Sequence, residues 1–594
     1  MNNSLRLYCA QINATVGDFT GNFEKIASHI ENAKKNRVDI IAFPELAITG
    51  YPPEDLVLKP AFIEKSVHYL SRIKDISDNI TVIAGYVSRD LEIYNSAAIL
   101  AGRRIISVYN KQFLPNYSVF DEERYFQQGS FTPVFELNGI RFGVNICEDI
   151  YYSSGPLLQQ AIAGGAILGI NISASPYHTG KIAEREKMLF TRAIDNRINI
   201  LYVNLVGGQD ELVFDGSSCL INEKGAIIYR AESFEEDFFI YDLDTDDISF
   251  TRMQDTKFKN QRELMRQHMD KLQVIKIPSE KSNLKNLSGK EKINEKFTEK
   301  KDLYSGTISC IEEEIFMALV LGTKDFILKN GFKKVVLGLS GGIDSALTAV
   351  IAAHAIGAKN VNAVLMPSAF SSEGSIKDSL ILAEKTGILH RIISIKDIYS
   401  AFTANLESNL TGSEINVTKE NIQARIRGAV LMALSNEYGW LVLATGNKSE
   451  ISVGYCTLYG DMVGGFSPIK DVYKTRVYDI CRFLNKKYNN IIPEQILLKA
   501  PSAELKPEQK DQDKLPPYET LDAILKSYIE DEKDYQEIVS EGFDSATVLE
   551  VLNMVDSNEY KRRQGSPGIK ITARAFGRDR RYPITNKFRI SPGD

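Results

Sequence analysis

The stretch KKVVLGLSGGIDSALTAVIAAHAIG, residues 333–357, joins two apolar runs through a turn of glycine and serine. The first run predicts a buried strand, and the run that follows the turn predicts a helix. Strand-like and helical runs continue to alternate downstream, with further strands expected at 361–367, 390–395 and 440–445. This alternation predicts an α/β fold with a doubly wound parallel sheet, which binds its ligands beyond the carboxyl ends of the strands.

The turn itself, GLSGGIDS, is the strongest functional signal in the chain. Glycines allow successive backbone N–H groups to approach an anion, and the helix N-terminus adds partial positive charge. The turn is neither a Walker A loop nor GxGxxG. A tight capped turn without a ligand is the alternative, but two hydroxyls and an acid exceed what such a turn needs. We therefore interpret it as a loop for nucleotide phosphates, formed by Gly338, Leu339, Ser340, Gly341, Gly342, Ile343, Asp344 and Ser345.

The first half of the chain carries a different pattern, with many strands and few helices. Strand-like runs occur at 5–12, 38–45, 80–87, 94–101, 140–147, 166–173 and 198–206. Helical spacing occurs at 22–36 and 183–197. Some of the strands are continuously apolar and others alternate, so the pattern predicts a mixed sheet covered by helices.

Length and composition restrict the possibilities further. A chain of 594 residues exceeds what one hydrophobic core usually organises, so at least two domains are expected. The lysine- and glutamate-rich segment 276–302 predicts a linker between domains at 1–275 and 303–594. A net charge of −6 argues against a nucleic-acid partner, and no run is apolar enough for a membrane span. Six cysteines without CxxC argue against a disulfide framework or zinc site, and we expect a cytoplasmic protein.

Three residues at the ends of predicted strands are candidates for covalent catalysis. Cys147 ends the run IRFGVNIC, Glu45 ends a strand before LAITGYPPEDL, and Lys111 follows the run SVYN. Taken singly, a strand-end cysteine is usually a small buried side chain, and the acid and lysine are usually solvated. Together they supply a nucleophile, a base and a cation for a developing oxyanion.

The phosphate loop resembles that of the N-type ATP pyrophosphatases, which cleave ATP to AMP and pyrophosphate. Blocks at 420–428, 441–475, 514–525 and 559–572 are similar to the NAD synthetase family. That resemblance implies that the loop and Thr445 bind ATP, and that Asp344 and Glu450 bind Mg²⁺. It also implies that Asn421, Glu450 and Lys561 contact deamido-NAD. Three basic side chains are further candidates for phosphate contact: Arg425, Arg427 and Lys474.

The first half resembles the nitrilase superfamily, whose Glu-Lys-Cys triad has the same chain order. The resemblance implies an αββα sandwich over roughly the first 270 residues, with Glu45 as base, Lys111 as oxyanion partner and Cys147 as nucleophile. Glu122 corresponds to an additional acid found in many such sites. Within the superfamily the segments NYSVFDEERYF and NISASPYHTGKIAERE resemble glutaminase domains fused to NAD synthetase. That likeness implies glutamine-binding positions at Tyr117, Ser175 and Lys181, the last a modest departure because arginine also occurs there.

Taken together, the two resemblances imply glutamine-dependent synthesis of NAD from deamido-NAD, ATP and L-glutamine, through an acyl-adenylate. They also imply a passage for ammonia, a homo-oligomer and a glutaminase activity that rises when the second site is loaded. Two alternatives stay open at this point. One is another glutamine-dependent amide-forming ATP pyrophosphatase, and the other is a catalytically dead protein that senses nucleotides.

Overall fold

The structure, a computed structural model, describes residues 4–265, 272–278, 308–409, 416–502, 504–506 and 509–590. The chain forms two compact units. The first unit comprises Met1–Gln209 and Phe214–Ser309, and the second comprises Asp210–Val213 and Cys310–Asp594. The predicted linker at 276–302 lies outside the described residues except for its first three positions.

Two sheets form the centre of the first unit. The strands of the first sheet are β1 (Ser4–Gln11), β2 (Ile40–Ala42), β3 (Thr81–Arg89), β4 (Ile93–Ala101), β5 (Arg104–Asn110) and β14 (Asp237–Asp244), in the order β14-β1-β2-β3-β4-β5. The strands of the second are β6 (Val134–Leu137), β7 (Ile140–Ile146), β8 (Leu168–Ser173), β9 (Asn199–Asn204), β12 (Cys219–Ile221), β13 (Ile227–Arg230) and β15 (Val274–Lys276), in the order β13-β12-β9-β8-β7-β6-β15. A separate pair consists of β10 (Val206–Gln209) and β11 (Leu212–Asp215).

The longer helices among the described residues of the first unit are α1 (Phe19–Lys35), α2 (Pro60–Asp75), α3 (Lys181–Asn196), α4 (Asp246–Gln254) and α5 (Thr256–Leu264). Alternation along β9 shows how the layers pack. Leu201 and Val203 enter the core between the two sheets, while Ile200 and Tyr202 face a cluster with Leu189 of α3. On the first sheet, α2 is joined to β3 by a hydrogen bond from Ser66 Oγ to the carbonyl of Val87 (2.8 Å). The unit is the predicted αββα sandwich.

The second unit is built on four parallel strands with helices. The strands are β16 (Val335–Gly338), β17 (Val361–Leu365), β18 (Leu389–Ile392) and β19 (Leu441–Val442), in the order β18-β17-β16-β19. The helices are α6 (Ile311–Lys329), α7 (Ile343–Ile356), α8 (Glu373–Thr386), α9 (Lys396–Leu406), α10 (Val417–Tyr438), α11 (Lys448–Val453), α12 (Lys474–Lys487), α13 (Glu494–Leu498), α14 (Tyr518–Ile529), α15 (Tyr535–Ser540), α16 (Ser545–Ser557) and α17 (Glu559–Arg562).

The parallel sheet and its crossover helices confirm the doubly wound fold. Val336, Val364 and Val442 from three neighbouring strands pack against Ile422 and Ile426 of α10. The last strand is shorter than the prediction of 440–445, because the chain leaves the sheet after Val442. Beyond that residue Leu443 forms an isolated parallel bridge with Phe466.

Candidate functional site

Cys147 lies where β7 turns into a short 3₁₀ helix, Cys147–Ile150. Its backbone φ is +44°, a left-handed conformation that residues other than glycine seldom adopt. Strained backbone of this kind is held in place by surrounding structure and concentrates at functional sites. The side chain is buried, at 4% exposure.

Lys111, just after β5, is bound by two carboxylates in the interior of the first unit. Its Nζ donates to Glu45 Oε1 at 2.7 Å and to Glu122 Oε1 at 2.8 Å. The lysine is 1% exposed and the carboxylates are 0% and 4% exposed. Because one ammonium serves two carboxylates away from water, the group carries a net negative charge when all three residues are ionised.

The Glu45 carboxylate is fixed from three directions. Its Oε1 accepts a second hydrogen bond from Asn95 Nδ2 (2.7 Å), and its Oε2 accepts one from the backbone N–H of Ala174 (2.9 Å). Gly85 lies directly behind it, where an added Cβ would come within 2.3 Å of the nitrogen of Leu46. The side chain is therefore held in one position, as a catalytic base requires.

Burial and charge set the protonation states of this cluster. Burial raises the pKa of the Cys147 thiol well above its ordinary value, and the nearby Glu45 carboxylate raises it further. Burial also raises the pKa of Glu122 to about 7. For Lys111, burial alone would lower the pKa, but Glu122 and Glu45 outweigh it and hold the pKa above its ordinary value. The resting cysteine is therefore a thiol that needs a base, beside a lysine that stays charged.

The three predicted glutamine-binding residues lie around the turn that carries Cys147. Tyr117 donates from its hydroxyl to Glu148 Oε2 (3.0 Å), and the pKa of Glu148 is raised by burial although Tyr117 and Lys181 act against it. Lys181 Nζ also lies 5.6 Å from the centre of the Tyr151 ring. Ser175 is buried directly after Ala174, whose N–H binds Glu45.

Sequence reasoning missed several side chains that hold this cluster together. Tyr51 donates to Glu122 (2.8 Å), and Asn95 donates to Glu45. Asp149 accepts four hydrogen bonds, from groups beside both Lys111 and Cys147. The sequence offers no signal that separates Asp149 from the neighbouring acid Glu148.

The second unit contains a cavity of about 490 Å³ at the carboxyl ends of its strands, a volume in the usual range for a small-molecule site. The cavity is lined by every residue of the phosphate loop and by the four other predicted binding residues, Asn421, Thr445, Glu450 and Lys561.

The phosphate loop is shaped by its own serines and by one glycine. Ser345 Oγ donates to the carbonyl of Gly342 (3.0 Å) and lies 3.1 Å from Ser340 Oγ. Gly341 has a φ of +80°, and a Cβ there would lie 2.6 Å from the carbonyl oxygen of Ser375. Only glycine fits this position, which leaves the backbone N–H groups at the start of α7 next to the cavity.

Asp344 and Glu450 share one cation. Lys474 Nζ, at the start of α12, donates to Asp344 Oδ2 (2.5 Å) and Glu450 Oε1 (3.0 Å). Asn447 joins the same residues, because it donates to Asp344 (3.1 Å) and accepts the backbone N–H of Glu450 (3.0 Å). Burial raises the pKa of Asp344 to about 6, although Lys474 acts against it. The two carboxylates are close enough to bind a single positive ion.

The other residues predicted to bind the nucleotides differ in their hydrogen-bond partners. Lys561 Nζ donates to the carbonyls of Gly454 (2.6 Å) and Cys456 (3.1 Å), and Asn421 accepts a hydrogen bond from Thr457 (2.8 Å). Of the three basic candidates for phosphate contact, Arg427 and Lys474 line the cavity.

Arg425 is not among the lining residues of that cavity. It is exposed on α10 and donates to the carbonyl of Leu458 (3.2 Å). The prediction of a phosphate contact is therefore weakest for this residue, because its side chain is exposed and does not line the cavity.

The carboxylates beside the phosphate loop match the ligands that Mg²⁺ takes in proteins. Among the described residues no group of three or more His, Cys, Asp or Glu side chains could hold a metal ion. Mg²⁺ is usually bound by one or two carboxylates together with substrate phosphates and water. Asp344 and Glu450, which converge on one ammonium beside the phosphate loop, fit that pattern.

Comparison with known proteins gives a family match for each of the two units. A family model for carbon-nitrogen hydrolases matches residues 6–253, and one for NAD synthase matches residues 315–565. The glutamine-dependent NAD(+) synthetase of Thermotoga maritima is 46% identical over 588 residues, which cover 98% of this chain and 99% of that protein. The chain belongs to the glutamine-dependent NAD(+) synthetase family. The family member from Aquifex aeolicus is 45% identical over 98% of this chain and 100% of its own length.

A solved structure of the family agrees as well. The glutamine-dependent NAD(+) synthetase of Acinetobacter baumannii, in complex with ADP, has a TM-score of 0.72 at 39% identity and covers 98% of this chain and 99% of its own. The family member from Cytophaga hutchinsonii has a TM-score of 0.77 at 23% identity, over 99% of this chain and 98% of its own, and shows the same fold. No helix in the described part of the chain has the length and apolar character needed to cross a membrane.

Proposed function

We propose that this chain synthesises NAD from deamido-NAD, ATP and glutamine, and that its two units divide the reaction. One observation carries the proposal: a single chain holds both the buried Glu45–Lys111–Cys147 cluster and a cavity lined by the loop GLSGGIDS. A glutaminase releases ammonia, and an adenylating synthetase consumes it. We assign the glutaminase to residues 1–275 and the synthetase to residues 303–594, with 276–302 as the linker.

In the glutaminase reaction, Cys147 Sγ attacks the carboxamide carbon of glutamine as Glu45 takes the thiol proton. Lys111 Nζ donates to the oxygen on which negative charge develops. The C–N bond then breaks, ammonia leaves with the proton from Glu45, and a thioester remains on Cys147. Glu45 next takes a proton from water, which hydrolyses the thioester to glutamate and restores the thiol.

Glutamine itself is held by residues around the Cys147 turn. We assign Tyr117, Ser175 and Lys181 to the binding of its amino-acid end. The ammonium of Lys181 is suited to the α-carboxylate, although it fixes the geometry less firmly than a guanidinium would. Glu122 accepts a hydrogen bond from Lys111 Nζ together with Glu45, and so helps to hold the ammonium in place.

In the synthetase reaction, the nicotinate carboxylate of deamido-NAD attacks the α-phosphorus of ATP, and pyrophosphate leaves. Ammonia then attacks the acyl carbon, the bond to AMP breaks, and the amide of NAD forms with loss of a proton. The phosphate loop and Thr445 bind ATP, and Asn421, Glu450 and Lys561 bind deamido-NAD. Asp344 and Glu450 would hold Mg²⁺, which neutralises charge on pyrophosphate when bound.

The test is NAD formation from deamido-NAD and ATP, with glutamine or ammonium chloride as donor. We expect wild type to use both donors, and Cys147→Ala to lose glutamine-driven synthesis by at least about a thousandfold while keeping ammonia-driven synthesis. Cys219→Ala is the matched control, because Cys219 is a buried free cysteine of the same unit in β12. It should retain both activities.

Two outcomes would contradict the proposal. If wild type makes no NAD from either donor, the assignment of deamido-NAD as substrate is wrong. A panel of other carboxylic acids then identifies the one that the ATP-cleaving unit activates. If deamido-NAD binds tightly without turnover, the chain is a nucleotide sensor. Loss of both activities in Cys147→Ala would instead show that Cys147 is needed for folding.

A further inference from the structure

The carboxylate of Asp149 is completely buried and accepts hydrogen bonds on both oxygens. Its Oδ1 accepts the backbone N–H groups of Gln112 (3.0 Å) and Phe113 (2.9 Å). Its Oδ2 accepts the backbone N–H of Ile146 (2.9 Å) and the hydroxyl of Tyr109 (2.6 Å). All four partners come from the two chain segments that carry the proposed catalytic lysine and cysteine.

The positions of these donors in the sequence explain why they matter. Gln112 and Phe113 directly follow Lys111, and Ile146 directly precedes Cys147. The segment after β5 and the turn after β7 belong to different sheets, so no sheet hydrogen bonds set their separation. One carboxylate therefore fixes the main chain next to the oxyanion partner relative to the main chain next to the nucleophile.

The bond to Ile146 also acts on the strained backbone. Cys147 has a φ of +44°, and a left-handed conformation in a residue with a Cβ needs support from its surroundings. Asp149 supplies it from within the same turn, two residues further on, by accepting the N–H that precedes the cysteine. Without that bond the turn is free to relax toward ordinary φ, which moves Sγ away from its place beside Glu45.

We propose that Asp149 is a positioning residue of the glutaminase site, which sets the distance between Lys111 and Cys147 without touching the substrate. This inference rests on the proposed function, because it assigns a role within the glutaminase reaction. Charge-assisted bonds from several N–H groups to one carboxylate are short and directional, so they suit this task. A displacement of about 1 Å at a reacting group can lower the rate about a hundredfold.

The main test variant is Asp149→Asn, because an amide keeps the size of the side chain but has only one oxygen to accept. Either the two bonds from the N–H groups beside Lys111 or the bond from the N–H of Ile146 is then lost. We expect glutaminase kcat, measured as glutamate release, to fall about tenfold to a hundredfold with KM within about threefold of wild type. Ammonia-driven NAD synthesis should stay within about twofold, because it does not use this site.

A second readout follows the cysteine directly. Iodoacetamide alkylates Cys147 at a rate that depends on how well Glu45 and Lys111 stabilise its thiolate. Peptide mass spectrometry after timed exposure gives that rate separately from the other cysteines. We expect Asp149→Asn to slow it by at least about fivefold.

Two further variants separate positioning from general stability. Tyr109→Phe removes one of the four bonds and keeps the carboxylate, so kcat should fall less, by about threefold to tenfold, with the same KM. Asp39→Asn is the matched control. Asp39 is also buried and also accepts a backbone N–H, from Arg6 at 2.8 Å, but it lies at the opposite end of β2 from Glu45. This control should leave glutaminase kcat within about twofold of wild type.

The proposal is overturned if Asp149→Asn keeps glutaminase kcat within twofold of wild type. It is also overturned if ammonia-driven synthesis and the melting temperature fall in proportion, since Asp149 would then serve folding alone. If Asp149→Asn does not fold, Tyr109→Phe decides by the same criteria. Failure of the proposed function gives a different result, because wild type would then release no glutamate from glutamine.

Discussion

Lys111 shows how a single residue can set the charge of a whole site. Its ammonium lies between Glu45 and Glu122 and is cut off from water, so one positive charge has to balance two negative ones. Protonation of either carboxylate makes the group neutral. The pKa of Glu122 is raised by burial to about 7, so this residue is the one that takes up the proton near neutral pH.

This charge balance predicts a pH dependence of stability. In an unfolded chain Glu122 would titrate at about 4.3, so between that pH and about 7 the folded state binds more protons than the unfolded state. Stability from this residue therefore decreases as pH rises through that interval. Glu122→Gln should unfold like wild type at pH 4 and be more stable at pH 8, by about 1–3 kcal/mol.

Denaturant unfolding of both proteins at the two pH values measures the difference. Glu123→Gln, which changes the exposed neighbour, is the control and should follow wild type at both pH values. A variant less stable than wild type at pH 8 would show that the second carboxylate stabilises the ionised site rather than straining it.

For single residues, the sequence predicts which side chains are chemically suited to catalysis better than it predicts which side chains touch. Glu45, Lys111 and Cys147 stand out because each follows a predicted strand and their chemistry is complementary. The structure brings Glu45, Lys111 and Glu122 into contact. The functional roles of these three residues and of Cys147 stay predictions. Asp149 could not be singled out, because its importance depends on where two other segments arrive in space.

Among the elements, α11 and α12 are the pair on which the second site depends. They carry Glu450 and Lys474, and Asp522 of α14 holds both helices. Its carboxylate accepts the hydroxyl of Ser449 and, at 2.9 Å, the backbone N–H of Thr475. Ser449 Oγ in turn accepts the N–H of Lys474 (2.8 Å). A third helix thus fixes the start of the other two.

This arrangement predicts the effect of Asp522→Asn. The amide leaves one of the two helix starts without an acceptor, so Glu450 and Lys474 lose their relative position. We expect NAD synthesis to fall about tenfold with either nitrogen donor, while glutamate release without nucleotides stays unchanged. Asp325→Asn on α6, another buried carboxylate of the same unit, is the control. Equal losses in both variants would indicate general destabilisation.

Most elements of both units could be predicted from periodicity, including the crossover pattern of the second unit. The misses have a physical cause. Strand β19 is short because Leu443 pairs with Phe466, a contact from elsewhere in the sequence. Among the strands that were not predicted, β15 has only half-buried or exposed side chains and shows no clear apolar alternation.

On the scale of the whole molecule, the question is whether ammonia made by one unit reaches the other before it escapes. Ammonia released into water is mostly protonated at neutral pH, and ammonium has no lone pair with which to attack an acyl carbon. A chain that carries both activities gains from joining them only if the ammonia is passed on. We therefore expect transfer inside the molecule and a glutaminase activity that rises when deamido-NAD and ATP are present.

Two variants with complementary defects test this transfer. Cys147→Ala lacks the glutaminase nucleophile, and Glu450→Gln lacks a carboxylate of the synthetase cavity. Mixed in equal amounts with glutamine, they should make NAD at under about a tenth of the wild-type rate, even when glutamate release is matched. Added ammonium chloride should restore the rate. A mixture as active as wild type with glutamine alone would show that ammonia travels through solvent.

The left-handed backbone at Cys147 has one more consequence, for how this protein evolves. At a φ of +44° the backbone conformation costs a cysteine roughly 1–2 kcal/mol more than it would cost a glycine. A change to glycine would relieve the backbone while it removes the thiol, so only selection for glutamine-driven NAD synthesis keeps the cysteine. Copies of this chain freed from that selection should lose the glutaminase first, and survive as enzymes fed by ammonia.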